Sequence, residues 1–221
     1  MSKRVLRRFL VHAVFNTLVL LPLMGLAWGG IAGFFSDPAR ALAAILMVAP
    51  DFVLTLRTSY GSVGIRHVEE GRAIALLSLM STLSLLAIIL FRRLGFAVLP
   101  GGDGLRFTGV LVLGIGTVLR AGPMIQLGSS FSLRLAIQER HQLSTTGFYS
   151  RIRHPSYLGS LLMLLGFALV FESGFGLGVV ATVTWFLTRR IHQEEALLTQ
   201  EFGDAYRAYA VRTHRLLPGV Y

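Results

Sequence analysis

Apolar and polar positions in this chain do not alternate; they separate into long apolar runs divided by short charged stretches. Runs at Phe9–Phe34, Ala39–Leu56, Ala73–Phe91 and Phe107–Leu127 approach or exceed the roughly 20 apolar residues a helix needs to cross a bilayer core. Two shorter runs follow, Ser156–Phe171 and Gly174–Leu187, joined only through Glu172, Ser173 and Gly174. So short a link predicts a tight helical hairpin. Its first arm reaches about 24 Å at about 1.5 Å per residue, slightly short of a bilayer core. Such a hairpin thins the bilayer locally or sits inside the protein. The run Ala39–Leu56 carries Pro50 and Asp51 in its interior, so the pattern predicts an all-α, polytopic membrane bundle of five to six spans.

Charge fixes the parity. The chain carries 21 Lys and Arg against 11 Asp and Glu, for a net charge of +10, with a mean hydropathy of +0.64. With six spans and an inner N-terminus, the inner segments take Lys3, Arg4, Arg7, Arg8, Arg57, Arg66, Arg72, Arg134, Arg140, Arg151, Arg153, Arg189, Arg190, Arg207, Arg212 and Arg215. The outer loops take Arg40, Arg92, Arg93 and Arg106. That asymmetry follows the positive-inside tendency, and omitting the second span would reverse it for half the chain. The basic residues sit at span ends and form no stripe, which argues against a nucleic-acid partner. The chain has no cysteine, so disulfides, thiolate metal sites and cysteine nucleophiles are excluded. The six histidines are too scattered for an evident metal site.

Chemistry must lie in the polar stretch between Gly128 and Pro155 or in the tail from Thr188. No P-loop, H-E-x-x-H or dinucleotide fingerprint is present. "GIG" (Gly114–Gly116) and "GFGLG" (Gly174–Gly178) read as small residues for close helix packing. Arg120 is the anomaly, because a guanidinium within a span is expensive and normally faces a cavity, a partner or a substrate. "RRIHQEEALL" continues the last span as a helix, with Arg190 and Glu194 four apart on one face. The hairpin returns this segment beside "RHPSY" (Arg153–Tyr157), where Pro155 suits the first turn of a helix. Gly147 in "TTGFY" permits a backbone turn close to a ligand.

Three stretches, "LRAGPMIQLGSSFS", "HQLSTTGFYSRIRHPSYLG" and "RIHQEEALLTQEFGDAYRAY", resemble in order and spacing the isoprenylcysteine carboxyl methyltransferase family. The wider relatives are the membrane phospholipid N-methyltransferases. The resemblance covers about residues 118–210. The apolar runs give N-terminal membrane spans over 1–104, which the resemblance does not reach, and the resemblance implies a methyltransferase core over 105–221, comprising a span, a cofactor loop, the hairpin and a C-terminal helix. It also implies S-adenosylmethionine as methyl donor, held by His141, Leu143, Gly147, Tyr149, His154, Pro155, Ser156, Tyr157 and Glu194 at the cytoplasmic face. Arg120 and Arg190 match the family's active-site arginines, and Glu195 completes the E-E pair. The implied acceptor is a prenylated or other lipophilic acid among membrane lipids, with no metal. A carboxylate needs no general base at neutral pH but does need a cation beside it, which two arginines supply. An amine acceptor, as in phospholipid N-methylation, would need a base such as Glu195. A sterol-reductase-like enzyme using NADPH is a third reading.

Overall fold

A computed structural model describes residues 17–57, 68–127, 143–219 and 221. Among them the fold is all-helical, with two isolated β-bridges. The helices are α1, described over Thr17–Trp28, α2 (Ile31–Phe35), α3 (Pro38–Arg57), α4 (Val68–Arg93), α5 (Gly102–Leu127), α6 (Pro155–Val170) and α7 (Gly174–Val211). Among the described residues, α5 alone is long and apolar enough by composition to cross a membrane unaided.

The expected uninterrupted run Phe9–Phe34 is broken. α1 stops at Trp28 because Gly29 takes φ +99° and Gly30 φ +152°. The amides of Gly30 and Gly29 fold back onto the carbonyls of Gly25 (2.8 Å) and Leu26 (2.9 Å), closing the helix in a Schellman motif. The run Ala39–Leu56 forms one helix, α3, that passes through Pro50.

The predicted hairpin has the same ending in a tighter form. The amides of Ser173 and Glu172 return to the carbonyls of Ala168 and Leu169, each at 2.9 Å, with Glu172 at φ +46°. Ser173 then caps α7 by accepting from the Gly176 amide at 3.1 Å. One residue thus closes α6 and the next opens α7. α7 runs on past Leu187 without interruption as far as Gly203, whose non-helical backbone (φ +51°, ψ −123°) separates a last short helical stretch ending at Val211.

α5 and α6 pack antiparallel at backbone distance. A Cβ on Gly116 would lie 2.5 Å from the Met163 amide nitrogen and 2.8 Å from the Gly159 carbonyl; one on Gly166 would meet the Leu113 nitrogen at 2.4 Å. Gly109 and Gly159 make equivalent contacts, so glycines seven apart on each helix form one seam. Of the two small-residue motifs, Gly116 serves this seam and Gly176 packs on Ala168. The main core gathers Met24, Phe34, Ala43 and Ile88 from the first half of the chain around Leu113, Phe167 and Phe171. A second cluster, Leu158, Ile191 and Leu216, locks α7 and the C-terminal segment onto the start of α6.

Candidate active site

The start of α6 is where the chemistry-bearing residues meet. Pro155 occupies the first helical turn and His154 caps it, accepting the Tyr157 and Leu158 amides on its carbonyl. Ser156 and Tyr157 are therefore adjacent on a rigid helix start and point to two different neighbours. The seam brings α5 so close that a Cβ on Gly159 would lie 2.4 Å from the Arg120 nitrogen. That approach lets Arg120 donate from its guanidinium to Ser156 Oγ at 2.8 Å. From α7, Arg190 Nε donates to the Tyr157 hydroxyl oxygen at 2.7 Å, and the hydroxyl donates to Glu194 Oε2 at 2.9 Å. The i,i+4 spacing places Arg190 and Glu194 on one face, so both reach the same phenol.

The "TTGFY" turn is a short 3-10 helix, Gly147–Ser150, with Gly147 at φ +58°. The Gln126 side-chain amide clamps it, donating to the Thr146 carbonyl (2.8 Å) and accepting from the Phe148 amide (3.0 Å). Tyr149 presents its carbonyl to the Tyr209 hydroxyl at 2.7 Å. Burial and the nearby Glu194 and Tyr209 push the Tyr149 phenol up, while Arg120 pulls the other way, so it stays neutral beside both charged groups. Leu143 is half-buried on the extended approach to this turn. His141 lies outside the described residues.

Glu195 has a different setting from Glu194. Its carboxylate accepts from Arg153 Nε (2.7 Å) and Arg215 Nε (2.8 Å), and His154 Nε2 stands 3.4 Å away. Burial opposes its ionisation, but the adjacent His154 imidazole and the hydrogen bonds from Arg153 and Arg215 outweigh it and hold the carboxyl well below the usual carboxylate range. Arg153, which reads in sequence as an interfacial charge, is partly buried, its side chain 9% exposed, and also donates to the carbonyls of Ala210 (2.8 Å) and Thr213. Residues 151–154 pair with 214–215 through the Arg153, His154 and His214 amides.

Arg120, Gly147, Tyr149, His154, Pro155, Ser156, Tyr157, Arg190, Glu194 and Glu195 thus belong to one neighbourhood. Sequence reasoning missed Gln126, Arg153, Tyr209 and Arg215. Gln126 had a signal, being a polar side chain near the end of an apolar run. The partners of Arg153 lie 42 to 60 residues downstream, where no local pattern reaches.

Comparisons with known proteins fit this arrangement. The model of the isoprenylcysteine carboxyl methyltransferase (ICMT) family matches residues 108–200, which hold the seam and most of the site. A probable protein-S-isoprenylcysteine O-methyltransferase of Oryza sativa subsp. indica is 33% identical over 115 residues, 51% of this chain and 60% of the rice protein. The protein-S-isoprenylcysteine O-methyltransferase of Schizosaccharomyces pombe is 36% identical over 107 residues, 47% of this chain and 45% of its own length. The chain therefore spans about half the length of these two relatives. Protein-S-isoprenylcysteine O-methyltransferase B of Arabidopsis thaliana aligns more fully, at 31% identity over 192 residues, 85% of this chain and 95% of the relative. The fold is shared with a solved structure of the eukaryotic intramembrane Ras methyltransferase ICMT, at TM-score 0.58 and 20% identity, covering 97% of this chain and 74% of that one. With the Arabidopsis relative matched almost end to end, the chain belongs to the isoprenylcysteine carboxyl methyltransferase family.

Proposed function

We propose that this chain is a multi-pass membrane methyltransferase. It transfers a methyl group from S-adenosylmethionine to the carboxylate of a prenylcysteine-like or other lipophilic acid, at the cytoplasmic face. One observation carries the reading: two guanidinium groups, Arg120 from α5 and Arg190 from α7, meet neighbouring residues, Ser156 and Tyr157, of one helix start. A carboxylate brought out of water needs such a pair of fork-shaped donors.

The donor set also fits the cofactor. S-adenosylmethionine supplies an electrophilic methyl on a cationic sulfonium. A carboxylate at Glu194 and the ring faces of Tyr157 and His154, stacked 12° from parallel at 5.6 Å, suit a cationic and partly aromatic molecule. The residues that would hold it are Tyr149, His154, Tyr157 and Glu194, with the Gly147 turn giving backbone access. The chain's own contribution is alignment and exclusion of water, which in an in-line displacement lowers the barrier by several kcal/mol.

The setting of Glu195 favours oxygen over nitrogen as the acceptor. A carboxylate pinned by two arginines is a weak base, so amine methylation lacks its proton acceptor here. The decisive experiment measures turnover of a prenylcysteine analogue alongside S-adenosylmethionine affinity for wild type, Arg120→Ala and Arg120→Lys. Loss of a charged hydrogen bond of about 2–4 kcal/mol corresponds to a fall of roughly 30- to 1000-fold in kcat/KM. Donor affinity should stay nearly intact, and lysine should recover little. Collapse of donor affinity with turnover would assign Arg120 to the cofactor or the fold. Binding of NADPH in place of S-adenosylmethionine would overturn the reading.

A further inference from the structure

The end of α5 carries Gly122 and Gln126, four apart and so on one face of the helix. The Gly147–Ser150 turn is seated on both. A Cβ on Gly122 would lie 2.4 Å from the tip of the Phe148 ring, so the ring rests directly on the helix backbone there. The Gln126 amide brackets Gly147 itself, donating to the Thr146 carbonyl at 2.8 Å and accepting from the Phe148 amide at 3.0 Å. One planar group thus pairs the backbone on either side of a residue held at φ +58°. A Cβ on Gly147 would lie 2.4 Å from Gln126 Oε1, so a side chain there would displace the clamp. Beyond it, the Tyr149 carbonyl ties the same turn to Tyr209.

This clamp is poorly placed to serve stability. Gln126, Thr146, Gly147 and Phe148 are all exposed, where water replaces a lost hydrogen bond at little cost. It is well placed to serve position. Six residues of α5 separate Gln126 from Arg120, about 9 Å of helix at about 1.5 Å per residue. Arg120 is the guanidinium assigned to the acceptor carboxylate, and Tyr149, two residues beyond Gly147, is assigned to the donor. One helix therefore carries a contact to each half of the reaction, and in-line transfer depends on how those halves are aligned. Without Gln126 the seat on α5 keeps the Phe148 ring but loses both hydrogen bonds.

We propose that Gln126 is a positioning residue for the methyl donor, holding the Gly147–Ser150 turn in register with Arg120; this rests on the assignment of that turn to S-adenosylmethionine. The test uses the purified full chain in detergent and measures S-adenosylmethionine affinity by calorimetry, thermal unfolding, and KM for a prenylcysteine analogue. Gln126→Met keeps the length of the side chain and removes both hydrogen bonds. Its donor affinity should fall by about tenfold, with the acceptor KM and the unfolding midpoint nearly unchanged. Gln126→Glu, when ionised, still accepts from the Phe148 amide but sets an oxygen against the Thr146 carbonyl, and should bind the donor as weakly. Once protonated, that carboxyl regains a hydrogen to donate to the carbonyl. With an ordinary glutamate pKa of about 4.3, its affinity relative to wild type should recover about twofold or more between pH 7.5 and pH 5. Gln126→Met should stay flat over the same range, and poor folding cannot imitate a gain in acid. Donor affinity of Gln126→Met within about twofold of wild type, or a Gln126→Glu deficit that is absent at neutral pH or unrelieved in acid, would overturn the proposal. A wild type that binds no S-adenosylmethionine would instead overturn the function on which it rests.

Discussion

Arg190 and Glu194 share the Tyr157 hydroxyl, one donating to it at 2.7 Å and the other accepting from it at 2.9 Å. The phenol sets the spacing of a cation and an anion that would otherwise pair directly. Tyr157→Phe keeps the ring and removes both hydrogen bonds. Each is worth about 1.5–3 kcal/mol when one partner is charged, so kcat/KM for a prenylcysteine analogue should fall by at least roughly tenfold. Calorimetry with S-adenosylmethionine should show weakened binding in the same variant. Unchanged kinetics and binding would mean that the phenol positions neither group.

Gly159 offers a test of the seam. A methyl group there would press on the Arg120 nitrogen at 2.4 Å and Cα at 2.8 Å, and helix backbone cannot rotate away as a side chain can. Gly159→Ala should destabilise the protein by about 1–3 kcal/mol and lower turnover more than Gly178→Ala, where the added carbon meets open space. Thermal unfolding and activity of the two variants, measured together, check this.

The Glu195 carboxylate has a folded-state pKa below its usual value of 4.5. The sign follows from linkage: its ionised form is favoured by the fold, so its contribution to stability is complete above about pH 4.5 and fades as the pH falls toward the depressed value. Glu195→Gln should therefore be less stable than wild type by a constant amount at neutral pH, with the gap closing in acid. Unfolding midpoints of both proteins across pH 3 to 8 provide the measurement, and a gap that widens in acid would contradict the assignment.

Topology can be read with introduced thiols, since the chain has no cysteine. Leu94 is 69% exposed and the Asp204 side chain 95% exposed, whereas Ser173 is fully buried and would not report. Cysteines at Leu94 and Asp204 should be labelled by an impermeant reagent from opposite faces of the membrane. Labelling of both from one face would refute the six-span arrangement.

Much of this was legible in the chain itself. The hairpin at Glu172–Gly174, the helix start at Pro155 and the onward run of the last helix follow from apolar length, proline chemistry and i,i+4 spacing. The gap at Gly29 and Gly30 was not legible, because hydropathy runs through it unchanged and only the left-handed backbone reveals it. The role of Arg153 was hidden for a different reason. A partly buried arginine and a surface arginine look alike until distant segments supply a carboxylate and two carbonyls. Gln126 shows the middle case, conspicuous as a polar residue but without an evident target until the 3-10 turn folds over it.

The continuity of α7 makes the site answerable to its surroundings. In the proposed topology the segment that begins at Gly174 within the bilayer reaches Arg190 and Glu194 with no intervening loop, so no flexible joint absorbs a change of tilt. A rotation of a few degrees at its buried end, acting over about 25 Å of helix at about 1.5 Å per residue, moves these side chains by an ångström or more against the fixed start of α6. Lipid thickness thereby becomes a control variable for catalysis. Turnover should pass through an optimum as acyl-chain length is varied in reconstituted vesicles.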